Sequence, residues 1–94
     1  MLLLSERRAI GEDRFAELVI WRLPQPAPGS THSYKYRLAF VIAEQCVLRF
    51  DNESGKGDHK HIREIEVPYV FTSLPQLIED FLQEIASWRS DEQR

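Results

Sequence analysis

The sequence predicts an α+β domain, a single antiparallel sheet of about five strands with one C-terminal amphipathic helix packed on it. Two patterns predict it. Short segments of apolar and polar alternation, set apart by turn residues, fill the chain up to Asp51, and one segment of helical period closes it. A length of 94 residues makes one domain, residues 1–94, with a small core.

The strands follow in order. Leu2 to Ile10 reads as the first, and Gly11-Glu12-Asp13 as a turn. Arg14 to Leu23 returns beside it as an N-terminal hairpin. There Phe15, Val19 and Trp21 alternate with Ala16, Leu18 and Ile20, so both faces of this strand are expected to be covered. Pro24-Gln25-Pro26-Ala27-Pro28-Gly29-Ser30 is a stiff connection, because proline cannot donate to a ladder. Ser33 to Ile42 is the most regular strand, with Tyr34, Tyr36, Leu38, Phe40 and Ile42 on one face and Lys35, Arg37, Ala39 and Val41 on the other. Ala43-Glu44-Gln45 turns the chain into Cys46–Asp51, completing a central hairpin, with Cys46 expected in the core. Val67 to Phe71 is the edge strand, since Pro68 would break a central one.

The helix is the plainest element. Ser73-Leu74-Pro75-Gln76 fits a capping box, and Leu74, Leu77, Ile78, Phe81, Leu82, Ile85 and Trp88 recur at helical spacing. Ser90 to Arg94 is expected to fray.

No apolar run is long enough for a transmembrane helix, and Ser5-Glu6-Arg7-Arg8 cuts Met1–Leu4 too short for a signal peptide. The single cysteine excludes an internal disulfide and a cysteine-rich zinc site, which makes a cytoplasmic location the default. Net charge is −3, against general nucleic-acid binding. Charge is unevenly spread, however: Thr31–Arg63 carries six Lys/Arg against four Asp/Glu, and all three histidines. If the register brings Lys35, Arg37, Arg49 and Asp51 together, the sheet presents a polar, net-positive face suited to phosphate. An ordinary solvated face with weak cross-strand ion pairs fits the same residues.

Chemistry concentrates in Asp51-Asn52-Glu53-Ser54-Gly55-Lys56-Gly57-Asp58-His59-Lys60-His61, read as a polar loop between core elements. His59 and His61 point the same way if the backbone is extended. One imidazole can take a proton while the other gives one, which suits cleavage of an RNA phosphodiester by its own 2′-hydroxyl with no metal or other cofactor. Lys56, Lys60, Arg37 and Arg49 are candidates to stabilise the transition-state charge, and Lys35 to bind the phosphate backbone. Gly55 and Gly57 would let backbone N–H groups approach a phosphate. A metal-dependent hydrolase built on the histidine pair with Asp51 or Asp58 is a second possibility, and a non-enzymatic interaction module a third.

Trp21-Arg22-Leu23-Pro24-x-Pro26-x-Pro28-Gly29-Ser30-x-His32-x-Tyr34-Lys35-Tyr36-Arg37-Leu38 resembles the TumE-type toxin family of bacterial toxin–antitoxin pairs. So do Val47–Glu53, the run Gly55–His61, Pro68-Tyr69-x-Phe71 and the terminal helix. Two departures, Phe50 and Val67, leave every histidine and lysine in place. The resemblance implies the toxin of a type II pair, loosely grouped with RelE/ParE-like proteins and hence with mRNA cleavage or another growth-inhibiting activity. It implies a cognate helix-turn-helix antitoxin as partner, RNA as the candidate substrate, and no membrane; a homodimer stays open. On the residues' own chemistry, His59 and His61 are the expected base and acid in unassigned order, Lys56 and Arg37 would hold phosphate, and Asp58 would orient a histidine.

Overall fold

The computed structural model describes residues 1–53 and 55–92. Six strands, β1 Leu2–Gly11, β2 Arg14–Arg22, β3 Tyr34–Ile42, β4 Gln45–Glu53, β5 Gly57–Ile62 and β6 Ile65–Pro68, are followed by one helix, α1 Leu74–Glu92. The strands form one sheet in the order β1-β2-β3-β4-β5-β6, each antiparallel to the next. The expected architecture is therefore present, with β5 added. Helix α1 carries on through most of the expected frayed end; Gln93 and Arg94 lie outside the described residues, as does Ser54 in the polar run. None of the described helix is long and apolar enough to cross a membrane.

The added strand comes from the polar run itself. Gly55 and Gly57 take φ of 84° and 77°, a region that suits glycine, and so turn the chain back on β4. Beyond them Asp58, Lys60 and Ile62 alternate with His59 and His61. A strand needs the period of two, not the hydrophobicity, and a charged segment conceals that period. The edge strand accordingly sits earlier than Val67–Phe71. β6 ends at Pro68; Tyr69 N–H still donates to Asp58 O of β5, and Val70 and Phe71 leave the sheet.

Register sorts the side chains onto two faces. On the helix side lie rows such as Glu6–Leu18–Leu38–Phe50–Lys60–Val67. Ala16, Leu18, Ile20, Tyr36, Leu38, Phe40, Leu48 and Phe50 are buried there against Leu77, Phe81 and Ile85. Leu74, Ile78, Leu82 and Trp88 pack around that core, so the whole predicted stripe of the helix is used. Phe50 meets Tyr69 and Phe81 edge-on, with centroids 5.1 and 5.8 Å apart. The N-cap is Ser73, whose Oγ accepts from Gln76 N–H at 3.2 Å. The Gln76 amide does not complete the box. It donates instead to Asp80.

Among the described residues, no layer lies over the other face. β2 is thus covered on one side only, and Trp21 stays 39% exposed. Cys46 is exposed as well, contrary to expectation. A bulge between Phe40 and Val41 pairs Phe40 with Leu48 but Val41 with Cys46. The extra residue turns Val47 into the core beside Leu48 and leaves Cys46 outside.

Candidate functional site

On the open face two rows run the full width of the sheet. One is Ser5–Val19–Arg37–Asp51–His59–Pro68, the other Arg7–Glu17–Ala39–Arg49–His61–Glu66. His59 stands directly across from Asp51, and His61 across from Arg49. The two imidazoles lie edge to face with centroids 5.8 Å apart. His59 is buried, while His61 is partly open.

Asp51 is the hub of this face. Arg49 Nε lies 2.9 Å from its Oδ2 as an ion pair, yet that N–H makes no aligned hydrogen bond. The other carboxylate oxygen, Oδ1, is buried and accepts none, with His61 Nε2 3.6 Å away. A buried carboxylate oxygen left one partner short holds an unmet demand for a donor. His59 Nδ1 has its own anionic neighbour, Glu66, at 3.5 Å. Each histidine therefore faces a separate carboxylate.

The expected excess of positive charge is not on this face. Glu17 sits 3.6 Å from Arg37, and the second row alternates Arg7, Glu17, Arg49 and Glu66. Lys35 is the exception. Its ammonium bonds the main-chain carbonyl of Asn52 and, among the described residues, pairs with no carboxylate.

Asp58 and Lys60, as alternate residues of β5, point to the helix side. Lys60 Nζ is 2.9 Å from Glu84 on α1 and lies over the Phe50 ring. Asp58 Oδ2 accepts from the Tyr36 hydroxyl at 2.6 Å and pairs with His32 Nε2 at 2.7 Å. Tyr34 N–H donates to His32 Nδ1, so the neutral imidazole carries its proton on Nε2 and donates it to Asp58. The histidine that Asp58 contacts is His32, not His59 or His61, and His32 also packs on Phe71 at 3.9 Å. Burial and then the bond to Asp58 push the Tyr36 phenol well above its ordinary pKa.

At the Gly57 end of β5 the two sides meet in a shallow groove lined by Lys56, Asp58, His59, Glu66, Val67 and Pro68. It brings three of the four expected catalytic residues together, with His61 one step along the open face. Lys56 is largely exposed and 3.8 Å from Glu53. Across β4 a second groove is lined by Glu17, Val19, Trp21, Lys35, Arg37, Arg49, Asp51 and Glu53. Among the described residues, no three His, Cys, Asp or Glu side chains converge as a metal site would require.

Two structural supports were not apparent as such in the sequence. Asn52 is buried and continues the β3–β4 ladder with its side chain: Oδ1 accepts from Tyr36 N–H at 3.0 Å and Nδ2 donates to Tyr34 O at 2.7 Å. The proline segment is latched to the hairpin turn by the bond from Gly55 N–H to Pro28 O at 2.7 Å. Gly29 sits so close that a Cβ there would come 3.3 Å from Gly55 Cα. Period two, applied through Gly57–Ile62, would have separated Asp58 from His59. Nothing local in sequence announces the contact between His32 and Asp58.

Fold and site define a one-sheet α+β domain whose uncovered face carries two histidines beside a buried carboxylate. The family model described as Toxin TumE matches residues 4–89, and the chain belongs to this toxin family. Searches of curated proteins and of solved structures find no match. Membership of a toxin family implies an antitoxin partner.

Proposed function

We propose that the chain is the toxin of a type II pair and cleaves RNA in the cytoplasm without a metal ion. The observation that carries this reading is the pair of imidazoles, 5.8 Å apart on an uncovered sheet face and each beside its own carboxylate. One imidazole takes the proton of the RNA 2′-hydroxyl. The freed oxygen attacks the adjacent phosphorus, and the 5′-oxygen leaves with a proton from the other imidazole. The products are a 2′,3′-cyclic phosphate and a 5′-hydroxyl. Lys56, Arg37 and Arg49 offset the charge that gathers on the phosphate oxygens. Lys35 holds the backbone further along the face. Asp58 and Lys60 serve from the other side, fixing β5 to His32 and to the helix. The family resemblance supports an antitoxin with a helix-turn-helix DNA-binding domain.

The alternating charges of the Arg7–Glu66 row favour a second reading, in which the face is a non-enzymatic surface for a protein partner. Purified protein incubated with RNA and a chelator separates the two. Cleavage with cyclic-phosphate ends, lost in His59→Ala and His61→Ala while circular dichroism is unchanged, supports the ribonuclease. Growth arrest that persists in the double variant sinks it.

A further inference from the structure

We infer that Trp21 is a base-stacking platform for single-stranded RNA, placed on the same open face as the histidine pair. The inference rests on the ribonuclease reading for its choice of ligand. Its physical grounds are separate.

A tryptophan is mostly buried in a folded domain, yet Trp21, next to the last residue of β2, is 39% exposed on a face that none of the described residues covers. Its ring lines the groove that also holds Lys35, Arg37 and Arg49 with the carboxylates of Glu17, Asp51 and Glu53, and of the three cations Arg49 is paired to Asp51. Lys35 is its direct cross-strand partner. That lysine has no carboxylate partner among the described residues, and Arg37 has only Glu17, at 3.6 Å with both side chains solvent-accessible. Such an exposed pair is worth little, so a phosphate can displace it. An exposed aromatic face beside a lysine that no carboxylate holds among the described residues, on a bare sheet, suits a single strand, whose bases stack while a phosphate meets the ammonium. A duplex offers no free base to stack.

The geometry links the platform to the proposed cleavage site. Register puts Trp21 and Lys35 in the row next to Val19–Arg37–Asp51–His59. Trp21 on β2 is three strand spacings from His59 on β5, about 14 Å across the sheet. A strand of RNA lying over Lys35 and Arg37 would join the two, so Trp21 holds a base a few nucleotides from the scissile bond. Trp21 thus sets affinity and register and takes no part in proton transfer.

The test uses the full chain and a fluorescent single-stranded oligoribonucleotide whose sugars are all 2′-O-methylated, so that it binds without being cut. Trp21→Ala is expected to weaken binding roughly tenfold to a hundredfold. Trp21→Phe should restore most of it. A duplex of the same sequence should bind less well than the single strand. Circular dichroism verifies the fold of each variant, which should hold because the ring is a surface group. With unmodified RNA, Trp21→Ala should raise KM and leave kcat close to wild type. Unchanged affinity in Trp21→Ala, equal binding of duplex, or no binding by the wild type each overturn the inference. Absent RNA binding with antitoxin affinity lost in Trp21→Ala also overturns it, and makes the face a protein interface. Binding that depends on Trp21 without cleavage of unmodified RNA leaves the platform standing and removes the ribonuclease. Cleavage with Trp21-independent binding does the reverse.

Discussion

His32 and Asp58 close a 2.7 Å hydrogen bond between the end of the proline segment and the start of β5, 26 residues apart in sequence. Both side chains are about nine-tenths buried. The bond, with that from Gly55 N–H to Pro28 O, ties a connection that proline stiffens to the hairpin that carries His59 and His61.

Removing that tie is expected to loosen the connection before the sheet. His32→Ala leaves Asp58 with the Tyr36 hydroxyl alone and should cost about 2–3 kcal/mol, the scale for a buried hydrogen bond to a charged group together with lost packing. Urea melts would give the loss. Limited proteolysis should show new cuts in Pro24–Ser30, and their absence at a melting point equal to wild type would refute the latch.

Asp51 is expected to matter for activity more than for the fold. Asp51→Asn keeps the shape and removes the charge facing Arg49 and His61. On the proposed mechanism RNA cleavage should fall about a hundredfold. The melting temperature should drop by only a few degrees. Asp58→Asn should show the opposite balance, with stability reduced and the histidine pair left in place. Measuring kcat and thermal melts on both variants checks the contrast.

The two raised phenols predict a one-sided alkaline limit. Tyr36 and Tyr69 are both held neutral in the fold, first by burial and then by their bonds to Asp58 and Asp80. Folded pKa values above the unfolded value mean that the stabilisation is complete below about pH 10. Above that the unfolded chain releases protons that the folded one keeps, so stability falls as pH rises. Urea midpoints between pH 8 and 11 should decline only over the upper part of that range. Tyr36→Phe should make the decline shallower by the share of one proton. A slope unchanged in that variant would count against the assignment.

The β3–β4 turn stores strain that substitution can relieve. Ala43 and Glu44 both take positive φ, 50° and 67°, in a tight two-residue turn without glycine. Replacing the pair by Asn-Gly supplies the residues that tolerate that backbone, and should stabilise by about 1 kcal/mol. A rise in the urea midpoint with an unchanged slope would verify it.

Period two and period 3.6 made most of this fold legible, because one face of each long strand and one stripe of the helix are apolar. The periods failed where that contrast disappears. Gly57–Ile62 is a strand written almost wholly in polar residues, with no apolar contrast to show its period. Regular alternation puts Cys46 in the core, and the bulge, which adds one residue, takes it out. The open face of β2 carries Val19 and Trp21, which reads as a covered side until the sheet is seen to have a single helix. In the site, alternation placed Arg49 and Asp51 together correctly. The interleaving of Glu17 and Glu66 among the cations depends on strand order across the sheet, which no local pattern contains.

The strictly sequential strand order has a consequence for how the chain folds. Every strand pairs with its immediate predecessor, so the sheet is assembled from short-range closures that need no distant partner and form quickly. The covering layer is different. Helix α1 follows all six strands in the chain, so during synthesis the apolar rows of β2, β3 and β4 are made well before anything can shelter them. A growing chain would thus hold an ordered but sticky ribbon, a state prone to self-association or chaperone capture, until the helix emerges. The timing of folding is set at the helix, which follows directly on the hairpin that carries the histidines.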